Sequence, residues 1–167
     1  MNDQLTKTDI KLIEEEIEYR KLEVRKEALE AVKEARAQGD LSDNFEYYAA
    51  RRDKNINEGR IRYLERMVRS AVIISEESLI DEVGLSNTVE IYFEEDDITE
   101  TYKLMTTVRG SSLNGRISVE SPLGKAILGH KINDRILINV NDTYGYYIVI
   151  KKIENTVDDG TDKIRSH

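Results

Sequence analysis

Between residues 8 and 76 the apolar positions recur at intervals of three, four and seven. A first stripe runs Ile10, Ile13, Ile17, Val24, Ala28, Ala31 and Ala35, and a second runs Ala49, Ile56, Tyr63, Met67, Ala71 and Ile74. Each stripe is too narrow to cover a thick core, so the spacing predicts two helices that meet along coiled-coil seams. Between them lies Gln38-Gly39-Asp40-Leu41-Ser42-Asp43-Asn44. Gly39 suits the left-handed residue past a helix end. Ser42, Asp43 and Asn44 suit an N-cap, and Asp43 with Glu46 has the spacing of a capping box. One helix therefore ends near 38 and the next starts near 43. So short a connection makes the arms antiparallel neighbours. About 30 residues per arm give a hairpin roughly 45 Å long.

Past residue 77 the period changes from helix-like to alternating. Thr88 to Phe93 and Ile98 to Leu104 predict strands around the acidic turn Glu94-Glu95-Asp96-Asp97, and Arg116 to Glu120 alternates cleanly. Ser121-Pro122-Leu123-Gly124-Lys125-Ala126-Ile127-Leu128-Gly129 predicts a short helix, with Ser as cap, Pro at its first position and Gly beyond its end. Ile136 to Val140 and Tyr146 to Ile150 complete four or five antiparallel strands wrapped on that helix. The tail from 155 is expected to fray. The expected class is α+β, with a helical hairpin over 1–77 (tip 39–44) and a β domain over 78–167.

Composition narrows the chemistry. The 167 residues include no Cys and two His, at 130 and 167, so thiol catalysis, Cys-based zinc sites and a Ser-His-Asp triad drop out. No apolar run approaches membrane-spanning length, and the N-terminus lacks a signal-peptide core, so a cytoplasmic location without membrane contact is expected. With 33 acidic against 25 basic residues, carboxylates are the chemistry in largest supply.

The hairpin tip displays them. Asp40 and Asp43 are close enough to repel unless a proton or cation joins them. Mg²⁺ is held by one or two carboxylates plus waters, and a partner could supply further ligands. The same residues also suit ordinary helix caps, and spacing alone leaves both readings open. Arg36, Arg51, Arg52 and Lys54 flank the tip. They form either a collar for phosphates or a solvated face paired with Asp53 and Glu34. Tyr47 and Tyr48 could stack on bases, or one of them could pack in the seam.

The stretch Glu34-Ala35-Arg36-Ala37-Gln38-Gly39-Asp40-Leu41-Ser42-Asp43-Asn44-Phe45-Glu46-Tyr47-Tyr48-Ala49-Ala50-Arg51, followed by Glu58-Gly59-Arg60-Ile61, resembles the Gre family of bacterial transcript cleavage factors. Ser121 to His130 is similar to a second motif of that family. The resemblance covers nearly the whole chain in order.

What the resemblance implies is an antiparallel coiled coil followed by an FKBP-like domain that docks on bacterial RNA polymerase, with Ser121 to Gly129 helping to shape the docking surface. It further implies that the tip enters the secondary channel. There Asp40 and Asp43 would share Mg²⁺ with the polymerase, which cleaves the 3′ end of backtracked RNA. The chain would be no enzyme itself. Arg36, Arg51 and Arg52 would face the nascent RNA, DNA would be met only through the elongation complex, and the chain would act as a monomer. Asp43 departs from the family's usual Glu and is one methylene shorter, which bears on cleavage efficiency. A channel-occupying paralogue that inhibits without cleavage is the alternative, and a coiled-coil scaffold or chaperone is an alternative of another class. The prolyl isomerase that an FKBP-like fold suggests is disfavoured, because this half lacks Trp and has only Phe93 as Phe.

Overall fold

A computed structural model describes residues 3–39, 44–77, 79–109, 115–158, 160 and 162–164. The chain divides into two compact units, one of residues 10–71 (with 1–2) and one of residues 3–9 and 72–167.

The first unit is a helical hairpin. Its outgoing arm consists of α1 (Lys7–Tyr19), a π-helical segment (Arg20–Val24) and α2 (Arg25–Ala37), and its return arm is α3 (Phe45–Ser70). The arms are antiparallel. Partners across the hairpin run in opposite directions, with Arg36 on Tyr47, Arg25 on Glu58 and Lys21 on Glu65.

The first stripe holds with one exception. Ile13 and Ala35 are buried and Ile10, Ile17, Val24 and Ala28 half-buried, but Ala31 is exposed and Val32 lies further in. The second stripe is corrected. Ala49 and Ile56 face outward, while Tyr47, Asn57, Arg60, Ile61, Leu64 and Met67 are buried. Two polar residues interrupt the true seam, which is why an apolar-only reading chose a neighbouring face.

Both polar residues are satisfied. Asn57 Nδ2 donates to the Arg20 carbonyl (3.2 Å), and Asn57 Oδ1 accepts from Arg20 Nη1 (3.1 Å). That carbonyl lies at the start of the π segment, whose i→i+5 bonding is unlike that of the turns on either side. Arg60 Nε donates to Glu16 Oε2 (2.9 Å), which also accepts from Arg20 Nε (2.7 Å). Burial alone would raise the Glu16 pKa, but the two guanidinium groups hold it below the ordinary value.

The helix predicted to run to 76 stops at Ser70. Ala71 is extended (φ −63°, ψ 140°), and Val72–Ile73 forms β2, parallel to β1 (Gln4–Leu5) in the second unit. β-branched side chains there favour a strand over continued helix. Thr6 and Asp9 form a reciprocal capping box: Thr6 N donates to Asp9 Oδ2 (2.9 Å) and Asp9 N to Thr6 Oγ1 (3.1 Å).

The rest of the second unit is a five-stranded sheet over one helix. Its strands are β3 (Thr88–Phe93), β4 (Ile98–Met105), β5 (Arg116–Ser118), β6 (Arg135–Asn139) and β7 (Gly145–Glu154), in the order β5-β4-β3-β7-β6. This is the α+β class expected, with a mostly antiparallel sheet on a short helix as in the FKBP-like description. One detail differs. β5 runs parallel to β4, and a 3₁₀ turn at Thr107–Arg109 follows β4. Val89, Ile91, Leu104, Ile117, Ile136, Ile138, Ile148 and Ile150 form the core with Ile127 of α4 (Pro122–Ile127). Ser121 caps α4 by accepting from Gly124 N (3.0 Å). No described helix is long and apolar enough to cross a membrane.

Fraying from 155 does not hold for the described residues. Asn155 Nδ2 donates to the Ile80 carbonyl (3.0 Å), and Thr156 Oγ1 meets Thr88 Oγ1 (2.9 Å). Asp158 pairs with Arg109, and the buried Asp162 pairs with Arg116 and with Lys103 (2.8 Å).

Candidate functional site

Asp40 and Asp43, the acidic pair expected to carry the chemistry, lie outside the described residues. The residues on either side of them define the base of the tip. The backbone at Gly39 has φ 121°, in the region a side chain disfavours, just past the end of α2.

Asn44 then opens α3. Its Oδ1 accepts from Tyr47 N (3.0 Å), the N-cap bond, while its Nδ2 donates to the Ala35 carbonyl (2.6 Å) in the last turn of α2. One side chain thus satisfies an orphan donor of one helix and gives a carbonyl in the last turn of the other a second donor beside Gln38 N. Of the three candidate caps, Asn44 fills the position, and the exposed Glu46 stands two residues after it, not at the spacing of a capping box.

Directly behind this clasp the two arms bring basic residues together. Tyr47 packs in the seam, 8% exposed. Arg36, at the end of α2, reaches its phenol oxygen at 3.5 Å, with the guanidinium 5.6 Å from the ring centroid. Arg51, one turn further along α3, adds its charge. The phenol pKa lies below its ordinary value, chiefly through the hydrogen bond from Arg36 and then through Arg51. The structure therefore joins Arg36 and Arg51 around Tyr47 and leaves Arg52, adjacent in sequence, on an outer face of α3. All three arginines are exposed.

The pairing with Asp53 and Glu34 does not occur. Among the described residues no ion pair joins Arg36, Arg51, Arg52 or Lys54 to a carboxylate. The arginine and lysine side chains that do form cross-hairpin pairs lie further down the arms, with Arg25 gripping Glu58 through two bonds (2.9 and 2.8 Å) and Lys21 reaching Glu65 (2.6 Å).

Tyr48 stays outside the seam. It is 51% exposed, edge-on to Tyr47 with centroids 5.4 Å apart. Phe45 is 87% exposed at the first position of α3. Sequence reading counted Asn44 among three possible caps but held no signal for its bond to the opposite arm. It also assigned Phe45 no role, and the signal there was an aromatic residue between two polar ones. Among the described residues no group of three or more His, Asp or Glu side chains gathers into a metal site.

Comparison with known proteins covers both units. The family model described as "Transcription elongation factor, N-terminal" matches residues 3–73, and that described as "Transcription elongation factor, GreA/GreB, C-term" matches residues 76–155. Transcription elongation factor GreA of Thermoanaerobacter pseudethanolicus is 41% identical over 137 residues, 81% of this chain and 87% of that protein. GreA of Bacillus subtilis is 37% identical over 126 residues, 75% of this chain and 80% of its own length. Among solved structures, that of the transcription factor Gfh1 aligns with a TM-score of 0.46 at 26% identity, covering 92% of this chain and 97% of that one.

Proposed function

The chain belongs to the GreA/GreB family of transcription elongation factors, and from that premise we propose that its hairpin tip completes an RNA-cleaving site inside bacterial RNA polymerase. The β-domain docks on the polymerase and the hairpin enters the secondary channel. Asp40 and Asp43 then approach the 3′ end of a backtracked transcript. The scissile chemistry belongs to the polymerase, and this chain acts as a donor of ligands and of positive charge, as a monomer and without touching DNA except through the elongation complex.

The observation that carries this reading is the meeting of Arg36 and Arg51, from opposite arms, over the Tyr47 phenol behind the acidic tip. Arginines free of carboxylate partners among the described residues are suited to phosphate oxygens. Arg52 adds positive charge from an outer face of α3. Asn44 supports the carboxylate role. With the N-cap bond supplied by Asn44, neither tip aspartate is needed to start α3. Two aspartates are hard oxygen donors of the kind Mg²⁺ takes, in a number that leaves the remaining positions to water or a partner. Bound Mg²⁺ would stabilise charge on the phosphodiester and lower the pKa of a coordinated water. The chain's own part is to hold the two carboxylates and to orient the RNA end through Arg36, Arg51 and Arg52.

The test is a stalled, backtracked elongation complex made with bacterial RNA polymerase. Added wild-type protein is expected to shorten the transcript from its 3′ end. Asp40→Asn, which keeps size and removes charge, is expected to bind the polymerase equally and stimulate no cleavage. Asp43→Glu is expected to retain or increase cleavage. Wild-type protein that binds the polymerase but never shortens the transcript, with no rescue by Asp43→Glu, would overturn the reading.

A further inference from the structure

Phe45 and Tyr48 are three apart on α3 and share a face. Arg52 follows Tyr48 by four residues, so Phe45, Tyr48 and Arg52 form one exposed strip leading away from the tip. Phe45 is 87% exposed and Tyr48 51% exposed. An isolated exposed apolar residue is ordinary. Here two exposed aromatic side chains share one helix face at the end of the hairpin, beside arginines that form no ion pair among the described residues. Their neighbour Tyr47 turns inward and is 8% exposed, so this turn of α3 is packed into the seam beneath the strip.

Resting on the reading of the preceding subsection, we propose that Phe45 and Tyr48 form a stacking platform for bases of the extruded single-stranded RNA. Aromatic faces interleaved with basic residues recognise single strands in two ways. The rings take the bases without regard to sequence, and the cations take the phosphates. Arg52 on the strip and Arg51 beside it supply the second component. A protein wall of the polymerase is the other occupant an aromatic strip could meet. The charge argues against it, since no carboxylate among the described residues neutralises these arginines. A partner bearing both a π-face and a negative charge on each unit satisfies rings and cations together. A nucleotide chain is that partner.

The experiment uses a backtracked elongation complex whose extruded RNA carries 2-aminopurine near its 3′ end, with Mg²⁺ withheld so that the transcript stays intact. Stacking on an aromatic ring quenches 2-aminopurine emission. Wild-type protein is expected to quench it, and Phe45→Trp, which keeps an aromatic face, is expected to quench it as well. Phe45→Leu, apolar but not aromatic, is expected to abolish most of the quench and to raise the concentration for half-maximal cleavage by about tenfold, within the range of one lost base stack. Polymerase binding measured without a backtracked transcript should be the same for all three. Wild-type protein that stimulates cleavage without quenching would overturn the platform and leave the cleavage reading standing. Equal quenching by Phe45→Leu would overturn it too. Loss of binding to polymerase without backtracked RNA in Phe45→Leu would assign the strip to the protein wall instead.

Discussion

Asn44 shows why the sequence offered three adjacent caps for α3 and could not choose among them. Asp43 and Asn44 have nearly equal N-cap preference, so local chemistry could not separate them. The deciding bond is the one from Asn44 Nδ2 to the Ala35 carbonyl, which needs a donor that aspartate lacks and a partner on the other arm. Asn44→Ala is therefore expected to destabilise the hairpin by about 1–2 kcal/mol, the upper range for a lost cap, read as a drop in the unfolding midpoint. Asn44→Asp should recover only part of that loss, since it caps α3 but sets a carboxylate against the Ala35 carbonyl. Equal stability of the Asp variant and wild type would show that the bond between the arms contributes nothing. Gly124 makes a second residue-scale case. A Cβ there would stand 1.9 Å from the Ser118 carbonyl oxygen, and backbone cannot rotate away as a side chain can. Gly124→Ala should consequently cost at least about 1–3 kcal/mol, as overpacking does. An unchanged denaturation midpoint would mean that α4 can lift off the end of β5 freely.

In the hairpin, the existence and direction of both arms were legible from period and caps, but the inner face of α3 was not. Asn57 and Arg60 occupy the seam because the π segment presents the Arg20 carbonyl to one and Glu16 reaches the other. Neither partner is visible from the sequence of α3 alone. Removing Asn57 by Asn57→Ala should cost about 1–3 kcal/mol, since two part-buried hydrogen bonds between the arms are lost. Hydrogen exchange should show the loosening centred on residues 20–25, and uniform loosening of both arms would argue against this pairing. The basic flank behaves differently, because Arg36 and Arg51 are exposed. Replacing both with Ala should leave hairpin stability within about 0.5 kcal/mol, as is usual for surface changes. It should raise the protein concentration needed for half-maximal cleavage and weaken the salt dependence of that concentration, each lost phosphate contact reducing the slope by about one. If saturating cleavage collapsed instead, these side chains would belong to the chemistry rather than to RNA capture.

Over the whole molecule, the part that sequence reading missed is the tie between the chain's two ends within the second unit. Strand spacing located every long strand, yet the residues after 155 were expected to fray because their polar composition resembles a free tail. They are instead held by a buried cation. Arg109, 2% exposed, pairs with Asp9 (3.3 Å) and with both oxygens of Asp158, and its Nε donates to the Asp162 carbonyl (2.9 Å). Asp9 and Arg109 are separated by 100 positions, and no local pattern relates them. Burial alone would raise the pKa of Asp158 and of Asp162. Arg109 holds the first below its ordinary value, and Lys103 and Arg116 hold the second below it. A carboxylate whose folded pKa is depressed adds stability that is fully present above its unfolded pKa, near 4, and is lost as pH falls through the lower folded value. Wild-type stability should thus decline below about pH 4. Arg109→Met leaves Asp9 and Asp158 buried without their cation and should cost about 3–5 kcal/mol at neutral pH. It should also reverse the pH response, because burial then raises the Asp158 pKa and acid relieves the unpaired charge. Denaturant unfolding from pH 7 to pH 3 separates the two profiles. The difference between variant and wild type should shrink as acid is added, while limited proteolysis at neutral pH should cut the variant first among residues 155–164. Parallel profiles would mean that Arg109 acts by packing alone and that its charge does not hold the two ends.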